Sequence, residues 1–99
     1  MTENIKAEAL ALAPALEEIF YALHQRPELG NHEHQTAALI RRRLDALGIP
    51  YTPLLDTATA AVIRGCQPGR PIGFRADIDA LPIAEETGLP YASRTCGVM

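Results

Sequence analysis

The sequence lacks the features that mark several classes of protein. No apolar run approaches the roughly 18 residues that a membrane-spanning helix needs, and the chain does not open with a basic segment followed by an apolar one. Its net charge of -3 gives no basic face on which to bind nucleic acid. We therefore expect a cytoplasmic protein with no nucleic-acid partner and no membrane partner.

Cysteine is also scarce. Cys66 and Cys96 are the only two, and their spacing fits neither a disulfide framework nor a paired-cysteine zinc site. We expect both to be free thiols. The remaining composition, with 47% hydrophobic residues in 99, suits one globular domain or a part of one.

The first clear pattern in the sequence is that of a helix. Apolar residues recur every three or four positions between Leu12 and Leu23, which is typical of a helix with one side facing a core. Pro14 fits the first turn of such a helix, so we predict that it begins there and ends before Pro27. The preceding segment, 4–10, is left open.

A second helix is predicted from about His32 to Leu47, with Asn31 as its N-cap. Gly48 and Pro50 are expected to end it. The run of arginines at 41–43 points in several directions on this helix, and we interpret it as a solvated face. The predicted apolar face consists of Ala37, Ile40, Leu44 and Leu47.

After the helices the sequence changes to short runs of β-branched and apolar residues. The runs 59–64 and 71–77 predict two strands joined by a turn at 65–70. The segment 51–54 is a further strand candidate, and 83–96 is predicted to be a loop. Helices followed by strands indicate an α/β arrangement in which helices cover one face of an incomplete sheet.

Two aspartates at the end of the last predicted strand are the main candidates for chemistry. Side chains alternate along a strand, so Arg75, Asp77 and Asp79 share one face. The two carboxylates would lie about 6–7 Å apart along the strand. Their repulsion requires a nearby cation, either Arg75 or a metal. Alternatively, both aspartates end the strand and form the turn that follows.

The other polar candidates favour structural interpretations. The spacing of His24, His32 and His34 places no two imidazoles on one helical face, so we interpret them as surface or capping residues and not as metal ligands. Glu85 and Glu86 are adjacent acids whose side chains diverge. We interpret both as solvated.

Several segments, in register and in order, resemble the N-terminus of the amidohydrolase branch of the zinc aminoacylase and carboxypeptidase family. Hippurate hydrolase and the plant auxin-conjugate hydrolases belong to this branch. The resemblance extends from about His24 to Met99. The segments are HQRPELG (24–30), RRRLDALGIP (41–50), RADIDALP (75–82), ETGLPYAS (86–93) and GVM (97–99).

This resemblance implies a fold and a reaction. The expected fold is the N-terminal part of a three-layer αβα zinc-exopeptidase-like catalytic domain, with residues 1–99 forming a partial catalytic domain and the smaller dimerisation domain absent. The expected reaction is the hydrolysis of an amide bond in a small N-acyl amino acid. Intact relatives use a divalent metal, zinc or manganese, to activate water, and a glutamate to transfer the proton.

The resemblance also assigns roles to the two aspartates. Asp79 corresponds to a carboxylate that supports the metal site and fixes the geometry of a ligand. Asp77 stands where carboxypeptidase relatives have a metal-binding histidine. In family members the metal ligands and the catalytic glutamate follow GVM, so we expect no metal ligand within residues 1–99, no metal bound to them and no catalysis by them alone.

Two alternatives stay open at this level. The chain could act as a small non-catalytic α/β interaction module. A separate chain could also supply the rest of the fold and restore activity by complementation.

Overall fold

The computed structural model describes residues 4–99, which form three helices and one two-stranded sheet. None of these helices is long and apolar enough to cross a membrane. The strands pair antiparallel, with Tyr51 opposite Ala61. The elements in chain order are α1 (Ile5–Ala11), α2 (Ala13–Gln25), α3 (His34–Ala46), β1 (Tyr51–Leu54) and β2 (Ala58–Ala61).

Helix α2 matches its prediction closely. Pro14 occupies the first turn, where its missing N–H group costs no intrahelical hydrogen bond. The helix ends at Gln25, before Pro27. The segment that the sequence left open forms the short helix α1, and Leu12 separates it from α2.

Helix α3 begins later than predicted. Asn31 adopts a left-handed backbone conformation with a φ of 66° and lies in a turn closed by the His32 N–H group, which donates to the carbonyl of Leu29. The predicted N-cap at Asn31 is therefore wrong, and Glu33 stands at that position. The predicted end is confirmed, because Gly48 follows the helix with a φ of 69°, a conformation that favours glycine.

The strands differ more from their prediction. The candidate strand Tyr51–Leu54 is real, and its partner is Ala58–Ala61 instead of the predicted 59–64. The predicted strand 71–77 does not form within residues 4–99, where these residues have no β-ladder partner. An alternating sequence pattern indicates which residues suit a strand, but a strand also requires a neighbour with which to pair.

Helix α3 packs on the hairpin through a small, partly polar core. Among residues 4–99, Ala37 is the one hydrophobic residue that is buried, with 2% of its surface exposed. Beside it, the hydroxyl of Thr57 donates to Glu33 Oε1 over 3.2 Å, and both residues are buried. This contact joins the start of α3 to the hairpin turn.

Arg41 provides the second link between α3 and the hairpin. Its Nε donates to Thr59 Oγ1 over 3.0 Å, and its Nη2 donates to the carbonyl of Ala58 over 2.9 Å. The interpretation of the arginine run as a solvated face is therefore wrong for Arg41. Arg42 and Arg43 are exposed, as that interpretation expects.

Candidate functional site

The acidic pair lies at the end of an extended segment that makes few contacts. Arg75 Nη2 lies 2.9 Å from Asp77 Oδ1, and the two side chains are 89% and 70% exposed. Arg75 is therefore the cation beside Asp77. The sequence predicted either Arg75 or a metal in this role. An ion pair this exposed contributes little to stability.

Asp79 lies against the turn that follows helix α2. The Ala80 N–H group donates to the carbonyl of Glu28 over 2.7 Å, and Ala80 also forms a parallel β-bridge with Leu29. A Cβ atom placed on Gly30 would lie 3.6 Å from Asp79 Oδ2, which is ordinary van der Waals contact. The PELG turn and the RADIDALP segment, about 50 positions apart, are thus neighbours in space.

The GVM segment reaches the same place. The Leu81 N–H group donates to the carbonyl of Met99 over 2.9 Å, and the Met99 N–H group donates back to the carbonyl of Leu81 over 3.0 Å. Met99 therefore lies beside a residue only two positions from Asp79. Three of the motif segments meet at this point, which we call the convergence point.

A cavity of about 430 Å³ opens next to the convergence point, between helices α2 and α3 and the segment 76–80. Asp77 and Asp79 both line it, and most of its other lining side chains are apolar. The apolar residues contributed by the helices and the motif segments include Phe20, Leu23, Pro27, Ile40, Ile78 and Met99. The carboxylates thus stand at the edge of an apolar recess.

Glu28 of the PELG turn serves as a cap for helix α3. Its Oε1 accepts hydrogen bonds from the Thr36 N–H group at 2.6 Å and from Thr36 Oγ1 at 2.7 Å, and its Oε2 accepts one from the Gln35 N–H group at 3.0 Å. Burial acts to raise the pKa of Glu28, but these hydrogen bonds outweigh it and lower the pKa below its ordinary value. The carboxylate satisfies free N–H groups of the first helical turn.

Glu85 is a buried, hydrogen-bonded residue that the sequence did not reveal. Its side chain is 4% exposed, and it accepts hydrogen bonds from His24 Nε2 and the Ser93 N–H group, both at 2.8 Å, and from the Thr87 hydroxyl. The hydrogen bond from Thr87, then that from Ser93, lowers the pKa of Glu85, with a smaller contribution from His24. The interpretation of Glu85 as solvated is wrong, whereas Glu86 is exposed as predicted.

Aromatic rings surround the contact between His24 and Glu85. The rings of Tyr21 and Tyr91 stack with their centroids 4.2 Å apart, and those of Phe20 and His24 stack at 5.9 Å. Tyr91 also meets His24 edge to face at 5.7 Å. These contacts pack the segment that contains Glu85 and Tyr91 against helix α2.

The described residues do not form a metal site by themselves. In the range 4–99 no three side chains of His, Cys, Asp or Glu are grouped so that they could hold a metal ion. Cys66 and Cys96 are free and exposed, in agreement with the prediction of free thiols. Asp77 and Asp79 are two of the carboxylates that line the recess at the convergence point, and Glu28 is a third.

Known proteins with similar sequences are hydrolases, although no family model matches the chain. An N-acetyl-L-cysteine deacetylase of Bacillus subtilis is 51% identical over 78 residues, which are 78% of this chain and 19% of that protein. An N-acetyldiaminopimelate deacetylase of Lactiplantibacillus plantarum is 44% identical over 86 residues, covering 82% of this chain and 22% of its own length.

Two crystal structures resemble the fold. A dinuclear metal-binding peptidase of the M20 family from Bacillus subtilis gives a TM-score of 0.84 at 42% identity, over 90% of this chain and 26% of that one. A protein of methicillin-resistant Staphylococcus aureus assigned as an aminohydrolase gives 0.91 at 34% identity, over 100% of this chain and 27% of that one. The chain is a relative of these amidohydrolases.

This relationship confirms the predicted family and fold class. Both structures match at least 90% of this chain and about a quarter of their own, so the helices and the hairpin correspond to part of a larger α/β domain. The chain spans about a fifth of the length of the curated amidohydrolases that it matches. The supporting role predicted for Asp79 is not tested by these similarities and stays a prediction.

Proposed function

We propose that these residues form part of the catalytic domain of a metal-dependent amidohydrolase that cleaves the amide bond of small N-acyl amino acids. The observation that carries the proposal is the identity of 44–51% with two deacetylases over more than three quarters of the chain. Both relatives are named for the removal of an acetyl group from an amino acid or a related diamino acid. The substrate is accordingly a small molecule, and the expected location of the enzyme is the cytoplasm.

The residue of this chain to which we assign a role in the reaction is Asp79. It lies at the convergence point, between Gly30 and Leu81, at the edge of an apolar recess. A carboxylate in this position is suited to accept a hydrogen bond from a metal-ligating side chain and so to fix its orientation. The metal is zinc or manganese, and its ligands come from residues outside 1–99.

We propose further that residues 1–99 are inactive alone and form a partial catalytic domain without the dimerisation domain. Two observations support this. Residues 4–99 hold no group of metal ligands. In addition, Phe74 and Ile72 are 95% and 80% exposed, which leaves apolar side chains of the extended segment without packing partners in this stretch.

A chimaera tests the function. The segment of the Bacillus subtilis deacetylase that matches this chain is replaced by the chain, and hydrolysis of N-acetyl-L-cysteine is measured with zinc or manganese. We expect activity, and we expect Asp79→Asn to lower it about 10- to 100-fold, the range typical of residues that support metal ligands. Glu86→Gln is the matched control, because Glu86 is exposed and should change nothing.

The outcomes separate the parts of this proposal. A folded, metal-loaded chimaera without hydrolytic activity would contradict the function, and equal activity in the Asp79→Asn and Glu86→Gln variants would contradict the role of Asp79. The 99-residue chain incubated with either metal and hippurate should give no turnover above the blank that contains metal alone. Turnover there would contradict its inactivity.

A further inference from the structure

The segment from Leu81 to Met99 contains no helix and no strand, yet it is firmly connected to helix α2. Three kinds of contact make this connection. The side chains of His24 and Glu85 form a hydrogen bond, the rings of Tyr21 and Tyr91 stack, and the Arg94 N–H group donates to the carbonyl of Gln25 over 2.9 Å. We call residues 81–99 the anchored segment.

Glu85 links helix α2 to the anchored segment. A carboxylate that is 4% exposed requires hydrogen-bond donors to replace lost water, and the donors here come from both sides. His24 donates from helix α2, while Thr87 and the Ser93 N–H group donate from within the anchored segment. Loss of either side would leave the buried carboxylate without part of its compensation.

The hydrogen bonds continue from Glu85 to the convergence point. The Ser93 hydroxyl donates to the carbonyl of Val98 over 2.7 Å, and the Thr95 N–H group donates to Ser93 Oγ over 3.1 Å. Val98 precedes Met99, whose backbone pairs with Leu81. The path therefore runs from helix α2 through Glu85 and Ser93 to the residue that lies beside the RADIDALP segment.

We propose that His24 and Glu85 are positioning residues that hold the end of the anchored segment in place, so that Met99 stays next to Leu81 and close to Asp79. His24 lines the recess beside the convergence point, whereas Glu85 does not. The positioning effect that the two residues share is exerted through Ser93 and the backbone of 93–99. The catalytic consequence rests on the proposed function, whereas the structural consequence does not.

A pair of substitutions at His24 separates its hydrogen bond from its ring. His24→Gln retains a side-chain N–H donor that can reach Glu85, whereas His24→Phe retains an aromatic ring against Phe20 and Tyr91 but has no donor. Amide hydrogen exchange of the 99-residue chain is measured by NMR. We expect His24→Phe to accelerate exchange at Ser93, Arg94 and Met99 by about tenfold, in line with the loss of one hydrogen bond to a charged group.

The control amides are those of Gln35 and Thr36, which Glu28 and not Glu85 holds. Their exchange should stay unchanged in His24→Phe, and His24→Gln should resemble the original chain at every amide. Glu85→Gln should accelerate the same three amides, and Glu86→Gln should not. Equal acceleration at the control amides, no acceleration at Ser93, or an unprotected Ser93 amide in the original chain would each overturn the proposal.

The same variants in the deacetylase chimaera measure the effect on the reaction. His24→Phe should lower kcat about tenfold, the same factor as expected for amide hydrogen exchange, and should leave KM nearly unchanged. His24→Gln should have a kcat close to that of the unsubstituted chimaera. An inactive chimaera with the expected exchange pattern would contradict the proposed function and leave the positioning role intact. An active chimaera in which His24→Phe has no effect on kcat would contradict the positioning role in the reaction and leave the proposed function intact.

Discussion

The segments on either side of Asp79 differ in how they are held, although neither contains a helix or a strand. Residues 62–77 are exposed, with Phe74 95% exposed. The anchored segment, 81–99, is fixed by Glu85 and by its backbone pairing with itself and with helix α2. An irregular segment can be fixed by a few well-placed polar groups, whereas an extended apolar segment needs another strand to pair with it.

The same contrast distinguishes the charged residues. Glu28, Arg41 and Glu85 each accept or donate several hydrogen bonds that join separate parts of the chain. Within residues 4–99, Arg75 and Asp77 pair only with each other, in an exposed position. We therefore expect substitutions at the first three to change stability and substitutions at the last two to have little effect.

The largest effect is expected for Glu28→Ala. This change removes three hydrogen bonds at the start of α3, and loss of a helix cap typically costs about 1–2 kcal/mol in the free energy of unfolding. The measurement is urea unfolding of the 99-residue chain followed by circular dichroism. Glu86→Ala is the control, and an equal loss in both variants would show that the cap does not stabilise the fold.

Arg41→Ala tests the link between α3 and the hairpin. It removes the hydrogen bonds to Thr59 and to the carbonyl of Ala58, and we expect a loss of about 1 kcal/mol because partial exposure weakens a charged donor. Arg42→Ala provides the comparison, since Arg42 is exposed on the same helix. If Arg42→Ala proved the more destabilising change, the packing of α3 on the hairpin would need another explanation.

Acid should weaken both glutamate contacts. The pKa values of Glu28 and Glu85 are lowered from 4.5, so folding favours their ionised forms. Their contribution is therefore present above pH 4.5 and is lost as the pH falls through the lower pKa values of the folded chain. The effect should be smaller than that of Glu28→Ala, because a protonated carboxyl group retains an oxygen that can accept a hydrogen bond.

Urea midpoints measured between pH 7 and pH 3 check this dependence. The double variant Glu28→Gln, Glu85→Gln should lose less of its stability over this range than the original chain, because neither amide titrates. Glu17→Gln, Glu86→Gln serves as the matched pair, since both residues are exposed. An unaltered pH dependence in the first double variant would show that other carboxylates cause the acid sensitivity.

The parts of the structure that depend on short-range interactions are the ones that the sequence predicts well. Helix α2 depends on local periodicity and on Pro14, and its limits were predicted to within a residue at its start. The start of α3 was missed because Asn31 adopts a left-handed turn conformation that its residue type permits but does not require. The family was recognised because motif order is preserved even where single motifs are short.

Contacts between distant segments could not be predicted in this way. Glu85 stands next to another glutamate in a polar stretch, which is the pattern of a solvated loop. Its burial depends on His24, which lies 61 positions earlier in the sequence, and no local sequence pattern predicts a contact over that separation. The strand predicted at 71–77 failed for the complementary reason, since its alternation is local but its pairing partner is not among residues 4–99.

The smallest effect in the 99-residue chain is expected for Phe74→Ser. Since Phe74 is 95% exposed, the free energy of unfolding should change by less than about 0.5 kcal/mol. Phe20→Ser is the matched change on the packed side, where the ring contacts Tyr21, His24 and Tyr91, and it should destabilise the chain more.

In the deacetylase chimaera the order should reverse, because a completed sheet would bury Phe74, and truncating a buried phenylalanine costs about 3–5 kcal/mol. If Phe74→Ser were as harmless in the chimaera as in the chain, segment 71–77 would not be a strand of the complete domain.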